Sequence, residues 1–122
     1  MKLLYSTNGG TTYPNVITAS TPNGGGSSGT FSYAWTIPDS ISTTVRVRIE
    51  NTTDASTFDT SDANFKIQAK FTLAAPNGGE RWVTNETRSI VWTTAGTVPN
   101  VKLEYSTDGG ATYPVGNVIT AS

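Results

Sequence analysis

Three aspartates, Asp54, Asp59 and Asp62, fall close together in the chain, with Glu50 and Asn51 just upstream. Carboxylates at this spacing are the groups that wrap a hard cation such as Ca²⁺, which takes roughly six to eight oxygen ligands. No glycine-bearing EF-hand loop accompanies them, so the competing reading is an Asx-turn cap ahead of the next strand. Paired-carboxylate hydrolysis by the same residues is disfavoured, because nothing apolar nearby would raise the pKa of an acid. Histidine and cysteine are both absent. Their absence removes the commonest transition-metal ligands, the usual general base and the thiol nucleophile. No nucleophile stands in a recognisable elbow either. The chain is expected not to be an enzyme and to carry no cofactor, with calcium at the aspartate loop as the lesser alternative.

A second group of polar residues is more regular. Ser106-Thr107-Asp108-Gly109-Gly110-Ala111-Thr112-Tyr113 follows the pattern S-x-D-x-G-x-T-aromatic, and Ser6 to Tyr13 repeats it with Asn8 in the place of Asp108. The spacing suits a hairpin turn. Asp or Asn tolerates the turn and bonds neighbouring backbone amides, while Gly9, Gly10, Gly109 and Gly110 supply positive φ. The pattern is that of the Asp-box, which also occurs in sialidases, and there a sugar-contacting loop is the functional alternative. Asn8 keeps the hydrogen bond but drops the charge, which favours a structural hairpin over a charged site.

Trp35, Trp82 and Trp92, with Tyr33, Tyr105 and Tyr113, are candidates for a sugar-stacking platform. Trp35 and Trp92 fall on the inward register of their strands, so core packing is the better reading. Trp82, beside Gly78-Gly79, is expected to seal a junction between repeats. Asn51-Thr52-Thr53 and Asn85-Glu86-Thr87 fit the N-x-S/T acceptor pattern for N-linked sugar. An intramolecular Lys to Asn isopeptide bond needs an inward lysine, and Lys66 and Lys102 alternate outward.

The elements that must position these residues are strands. Phe31, Tyr33, Trp35 and Ile37 share one face of residues 30 to 37. Val45, Val47 and Ile49 alternate with Arg46, Arg48 and Glu50. Phe65, Ile67 and Ala69 alternate with Lys66, Gln68 and Lys70, and Val101, Leu103 and Tyr105 alternate with Lys102 and Glu104. Ile90 and Trp92 mark a further strand, with shorter apolar pieces at Phe71 to Leu73 and at Trp82 to Val83. Gly- and Asn-rich turns separate the runs at Thr21 to Gly29, Pro76 to Gly79, Gly96 to Asn100 and Asp108 to Gly110. Short strands about ten residues apart argue for an antiparallel sandwich.

The strongest signal of organisation is duplication. Residues 1–20 and 101–122 are the same passage, identical at 16 of 20 aligned positions, with Val115 and Gly116 inserted in the second copy. A period near 100 residues marks an array of small domains. The chain reads as a little more than one turn of such an array, cut within the repeat at both ends. Its net charge of -1 leaves no electrostatic footprint for nucleic acid. No apolar run is long enough to span a bilayer, and the Ser/Thr-rich composition suits an exported β-protein.

Taken in rotated order, Pro76 to Trp82, Ile90 to Trp92, Val101 to Gly110, Tyr33 to Pro38, Val45 to Ile49 and Asp59 to Phe65 carry a family resemblance. They resemble a bacterial tandem Ig-like repeat, similar to the Ser/Thr-rich Ig-like family also found in fungal cell-wall proteins. The resemblance implies an all-β, Ig-like antiparallel β-sandwich spanning parts of two successive repeats. Residues 1–70 would supply strands C, C′, E, F and G of one repeat, and residues 71–122 strands A, B, C and C′ of the next. It also implies a structural role in an extracellular or cell-surface fibre, filament, stalk or adhesin-type protein. Each body would be completed by neighbouring copies head to tail, in a continuous array or by strand complementation. The alternative is a carbohydrate-binding accessory module with glycans as partners; no nucleic-acid partner and no membrane span are expected.

Overall fold

The computed structural model describes residues 1–26 and 28–120. Among the described residues the chain is all-β, with nine short strands and two three-residue 3-10 turns at Gly24–Gly26 and Val115–Asn117. No helix is long and apolar enough to cross a membrane. The chain divides into two compact units, Met1–Lys70 and Phe71–Ser122.

The first unit holds strands β1 (Lys2–Ser6), β2 (Asn15–Thr18), β3 (Ser42–Glu50), β4 (Phe58–Thr60) and β5 (Phe65–Ile67). They form one sheet in the order β2-β1-β3-β4, with β5 also on β3. The nine-residue β3 organises it, because its alternation of Val45, Val47 and Ile49 with Arg46, Arg48 and Glu50 separates an apolar from a charged face. β1 runs antiparallel to β3 in the register Lys2↔Glu50, Leu3↔Ile49, Leu4↔Arg48, Tyr5↔Val47 and Ser6↔Arg46. That register places Leu3 and Tyr5 on the same face as Ile49 and Val47.

On this face Tyr5, Val45 and Ile67 are buried, and Ile17, Trp35, Val47 and Phe65 pack against them. The Tyr5 and Trp35 rings lie 5.2 Å apart at 45°, and the Tyr5 hydroxyl shares a 3.1 Å hydrogen bond with the Ser40 hydroxyl. On the charged face Arg48 stacks on the Phe58 ring at 3.8 Å and reaches Glu50 at 3.2 Å.

The expected strand over residues 30–37 does not form. Only Trp35 of its apolar set finds cover, while Phe31, Tyr33 and Ile37 stay exposed. An alternating sequence becomes a strand only when a neighbouring strand takes up its backbone amides and carbonyls. Among the described residues no strand pairs with this segment. The short apolar piece at Trp82 to Val83 carries no strand for the same reason.

The second unit holds β7 (Val91–Ala95), β8 (Leu103–Glu104) and β9 (Val118–Thr120), and β6 (Lys70–Ala75) leads into it. β6 pairs with β7, and β8 pairs with β9, in two separate two-stranded sheets. None of the described residues of this unit is buried. Phe71, Leu73, Trp92, Val101 and Leu103 instead line an open groove of about 310 Å³.

Candidate functional site

The duplicated hairpins close by the same local chemistry. In the first copy the Ser6 hydroxyl accepts from the amides of Asn8 at 3.2 Å and Gly10 at 3.0 Å and donates to Asn8 Oδ1 at 2.7 Å. In the second, the Ser106 hydroxyl accepts from the amides of Asp108 at 3.2 Å and Gly110 at 2.9 Å and donates to Asp108 Oδ1. The amides of Thr12 and Thr112 donate to Asn8 Oδ1 and Asp108 Oδ1 at 3.1 and 2.9 Å. Both Gly-Gly pairs have positive φ, at 73° and 86° in the first copy and 73° and 90° in the second.

The Asn/Asp difference reverses one hydrogen bond. Asn8 Nδ2 donates to the Thr12 hydroxyl at 2.8 Å, whereas the Thr112 hydroxyl donates to Asp108 Oδ2 at 2.6 Å. The Ser106 hydroxyl, then the hydroxyl and amide of Thr112, lower the Asp108 pKa from the ordinary 3.8 to about 2. Its carboxylate is thus committed to the loop's own donors.

What differs between the copies is the surrounding protein. In the first, the Thr7 carbonyl accepts from the hydroxyls of Ser42 at 2.9 Å and Thr44 at 2.8 Å, and the Gly9 amide donates to the Thr44 carbonyl at 2.8 Å. The hairpin is thereby fastened to β3, and Tyr5 is 8% exposed. β8 carries no second strand among the described residues beyond β9, and Tyr105 is 48% exposed. β1 runs for five residues and β8 for two.

The aspartate loop does not converge. Among the described residues no three acidic, His or Cys side chains form a group able to hold a metal. Asp54 Oδ1 accepts from the amide of Ser56 at 3.0 Å and its hydroxyl at 2.6 Å, and Oδ2 accepts from the Thr57 hydroxyl at 2.9 Å. These donors, the Ser56 hydroxyl foremost, lower its pKa. Asp59 lies on β4 opposite Ile49, and Asp62 follows the strand. Asn51 Oδ1 accepts from the amide and hydroxyl of Thr53, the last residue of its acceptor triplet, at 3.1 and 2.9 Å. Asn85 is exposed, with a φ of 67°.

The candidate aromatic residues divide between the two units. Trp35 joins the core of the first unit, Trp92 lines the groove of the second, and Trp82, Tyr33 and Tyr113 are exposed. Lys66 and Lys102 are exposed as well, and Lys102 pairs with Glu104.

Two features escaped the sequence reading. Glu80 caps the turn at Pro76 to Gly79, accepting from the amides of Asn77 at 2.8 Å and Gly78 at 2.7 Å. Arg48 is the other: its Nε is buried without a hydrogen-bond partner between the charged residues of β3 and the Phe58 ring. Its alternation on β3 was visible, but its place opposite Leu4 depends on register across more than forty residues. Comparison of the chain with protein-family models, with curated proteins and with solved structures returned no match.

Proposed function

We propose that this chain is part of an array of Ig-like β-sandwich modules with a structural role in an extracellular or cell-surface stalk or filament. The observation that carries the reading is the hairpin built twice with the same serine and backbone-amide bonds, one period apart, packed in one unit and open in the other. A module completed by its neighbour has this property, because each half exposes what the other half covers. Its work is mechanical, with β-ladders resisting extension along the array. The Ser/Thr-rich composition suits a solvated spacer.

The test is single-molecule extension of a chain in which the unit 71–122 followed by 21–70 is repeated several times. Equal unfolding steps are expected, each releasing about 100 residues, or at most about 36 nm of contour at 3.6 Å per residue. Featureless extension would overturn the reading.

One observation favours a carbohydrate-binding alternative. An open groove of about 590 Å³ in the first unit brings Phe31 and Tyr33 together with Asn23, Ser28 and Ser32. Aromatic faces beside hydroxyl and amide groups suit sugar. Glycan-array binding abolished by Tyr33→Ala would favour it over the spacer.

A further inference from the structure

We propose that the hairpin at residues 101–120 of one copy takes the place of residues 1–18 on strand β3 of a second copy, in the register that β1 uses. The partner is thus another molecule of this chain, and the proposal rests on reading residues 71–122 as the first half of the same module.

The first unit contains the template. β1 and β8 carry the same motif, and the residues β1 sets against β3 are known pair by pair: Lys2↔Glu50, Leu3↔Ile49 and Tyr5↔Val47. The equivalents Lys102, Leu103 and Tyr105 have the same side-chain types; Leu103 is half-buried like Leu3, whereas Lys102 and Tyr105 are exposed. An unpaired strand edge with one apolar face seeks a strand of matching register, and β3 is a strand whose register for this sequence is already established.

Charge favours the substitution. Lys102 would face Glu50 as Lys2 does. Glu104 would replace Leu4 opposite Arg48, the arginine whose Nε is buried with no hydrogen-bond partner. Two of the three cross-strand pairs on that face then join opposite charges, where β1 provides only one.

Apolar burial favours it too. Exchanging one hairpin for its near-copy leaves the β3 ladder nearly unchanged. The incoming hairpin, however, is joined to β6 and β7, whose Phe71, Leu73 and Trp92 line one groove with Leu103. In the position of Leu3 this groove meets the second copy's exposed Ile49, Phe31 and Tyr33, which border the open groove around Leu3. Residues 1–18 bring no such cover. The exchange therefore gives up the buried Leu4 for Glu104, keeps the other β3 pairs and adds apolar surface from β6 and β7.

The absence of native cysteine gives a clean test in the full chain. Residues directly opposite on antiparallel strands have Cα atoms about 4.5–5.5 Å apart, inside the range a disulfide spans. Leu103→Cys protein mixed with Ile49→Cys protein and oxidised is expected to yield a mixed disulfide dimer. Leu103→Cys mixed with Thr43→Cys, about 20 Å further along β3, is expected to yield none above background. Adding Glu104→Lys to the first protein should cut the yield roughly tenfold, and Arg48→Glu in its partner should restore it. Equal yields at positions 49 and 43, or disulfide formed only within single chains when both cysteines share one chain, would overturn the exchange. The extension experiment separates the two ideas: equal unfolding steps without intermolecular disulfides leave the module and remove the exchange.

Discussion

Tyr5 and Tyr105 occupy equivalent positions in the two hairpins, so replacing each by alanine isolates the effect of tertiary surroundings. Tyr5 is 8% exposed, packs at 5.2 Å on Trp35 and shares a hydrogen bond with Ser40. Removing it withdraws about 200 Å² of mostly apolar surface, worth up to about 5 kcal/mol at 25 cal/mol per Å². Measured aromatic-to-alanine losses in cores run about 3–5 kcal/mol. Tyr105, with 48% of its surface still in water and no closed core to leave a cavity, should cost about 1–2 kcal/mol. Tyr5→Phe isolates the hydroxyl and should cost about 0.5–1.5 kcal/mol. Urea unfolding followed by tryptophan fluorescence, at protein concentrations low enough to suppress association, gives the comparison. Equal losses for Tyr5→Ala and Tyr105→Ala would refute the reasoning, because the second hairpin would then be packed like the first.

Acidification distinguishes the two loops. The Asp108 pKa lies below its ordinary value, so its contribution is fully present above about pH 4 and is lost as pH falls through about 2; the Thr112 amide should lose hydrogen-exchange protection in that window while Thr12, bonded to Asn8, keeps its own. Ser6 is fully buried and holds two amides. Ser6→Ala should therefore cost about 1–3 kcal/mol, and Ser106→Ala, whose orphaned amides can turn to water, no more than about 1 kcal/mol, both by denaturant titration. Gly10 has a φ of +86°, and a Cβ there would lie 2.9 Å from the Tyr13 hydroxyl. Gly10→Ala should lower stability by about 1–3 kcal/mol, whereas Gly116→Ala, with no atom within 4 Å, should stay within about 0.5 kcal/mol by thermal melting.

Much of the local structure was legible. The Ser-x-Asn/Asp-x-Gly spacing encodes its turn because every donor and acceptor lies within four residues. The alternation on β3 and β5 was legible for a similar reason, since period two needs no partner to be seen. Residues 30–37 carry an equally clear alternation and form no strand, because alternation states which face is apolar and says nothing about whether a neighbouring strand is there. The aspartates Asp54, Asp59 and Asp62 were grouped by sequence proximity. The turn at Asp54 to Thr57 and the extension of β4 separate their roles.

The two copies of the hairpin divide what the sequence determines from what the tertiary structure decides. Sequence alone determines the turn: near-identical residues make the same serine and Asx-to-amide bonds in both places, with one threonine bond reversed by the Asn/Asp difference, because those bonds are local. Tertiary structure decides strand length and burial. β1 is a five-residue strand with a buried tyrosine because β3, some forty residues away in sequence, supplies its second ladder and the rest of its core. β8, lacking that neighbour, is a two-residue strand with its tyrosine half in water. A strand's hydrogen bonds and its apolar face are both satisfied from outside its own segment, so the same words of sequence give different structures until a partner is present.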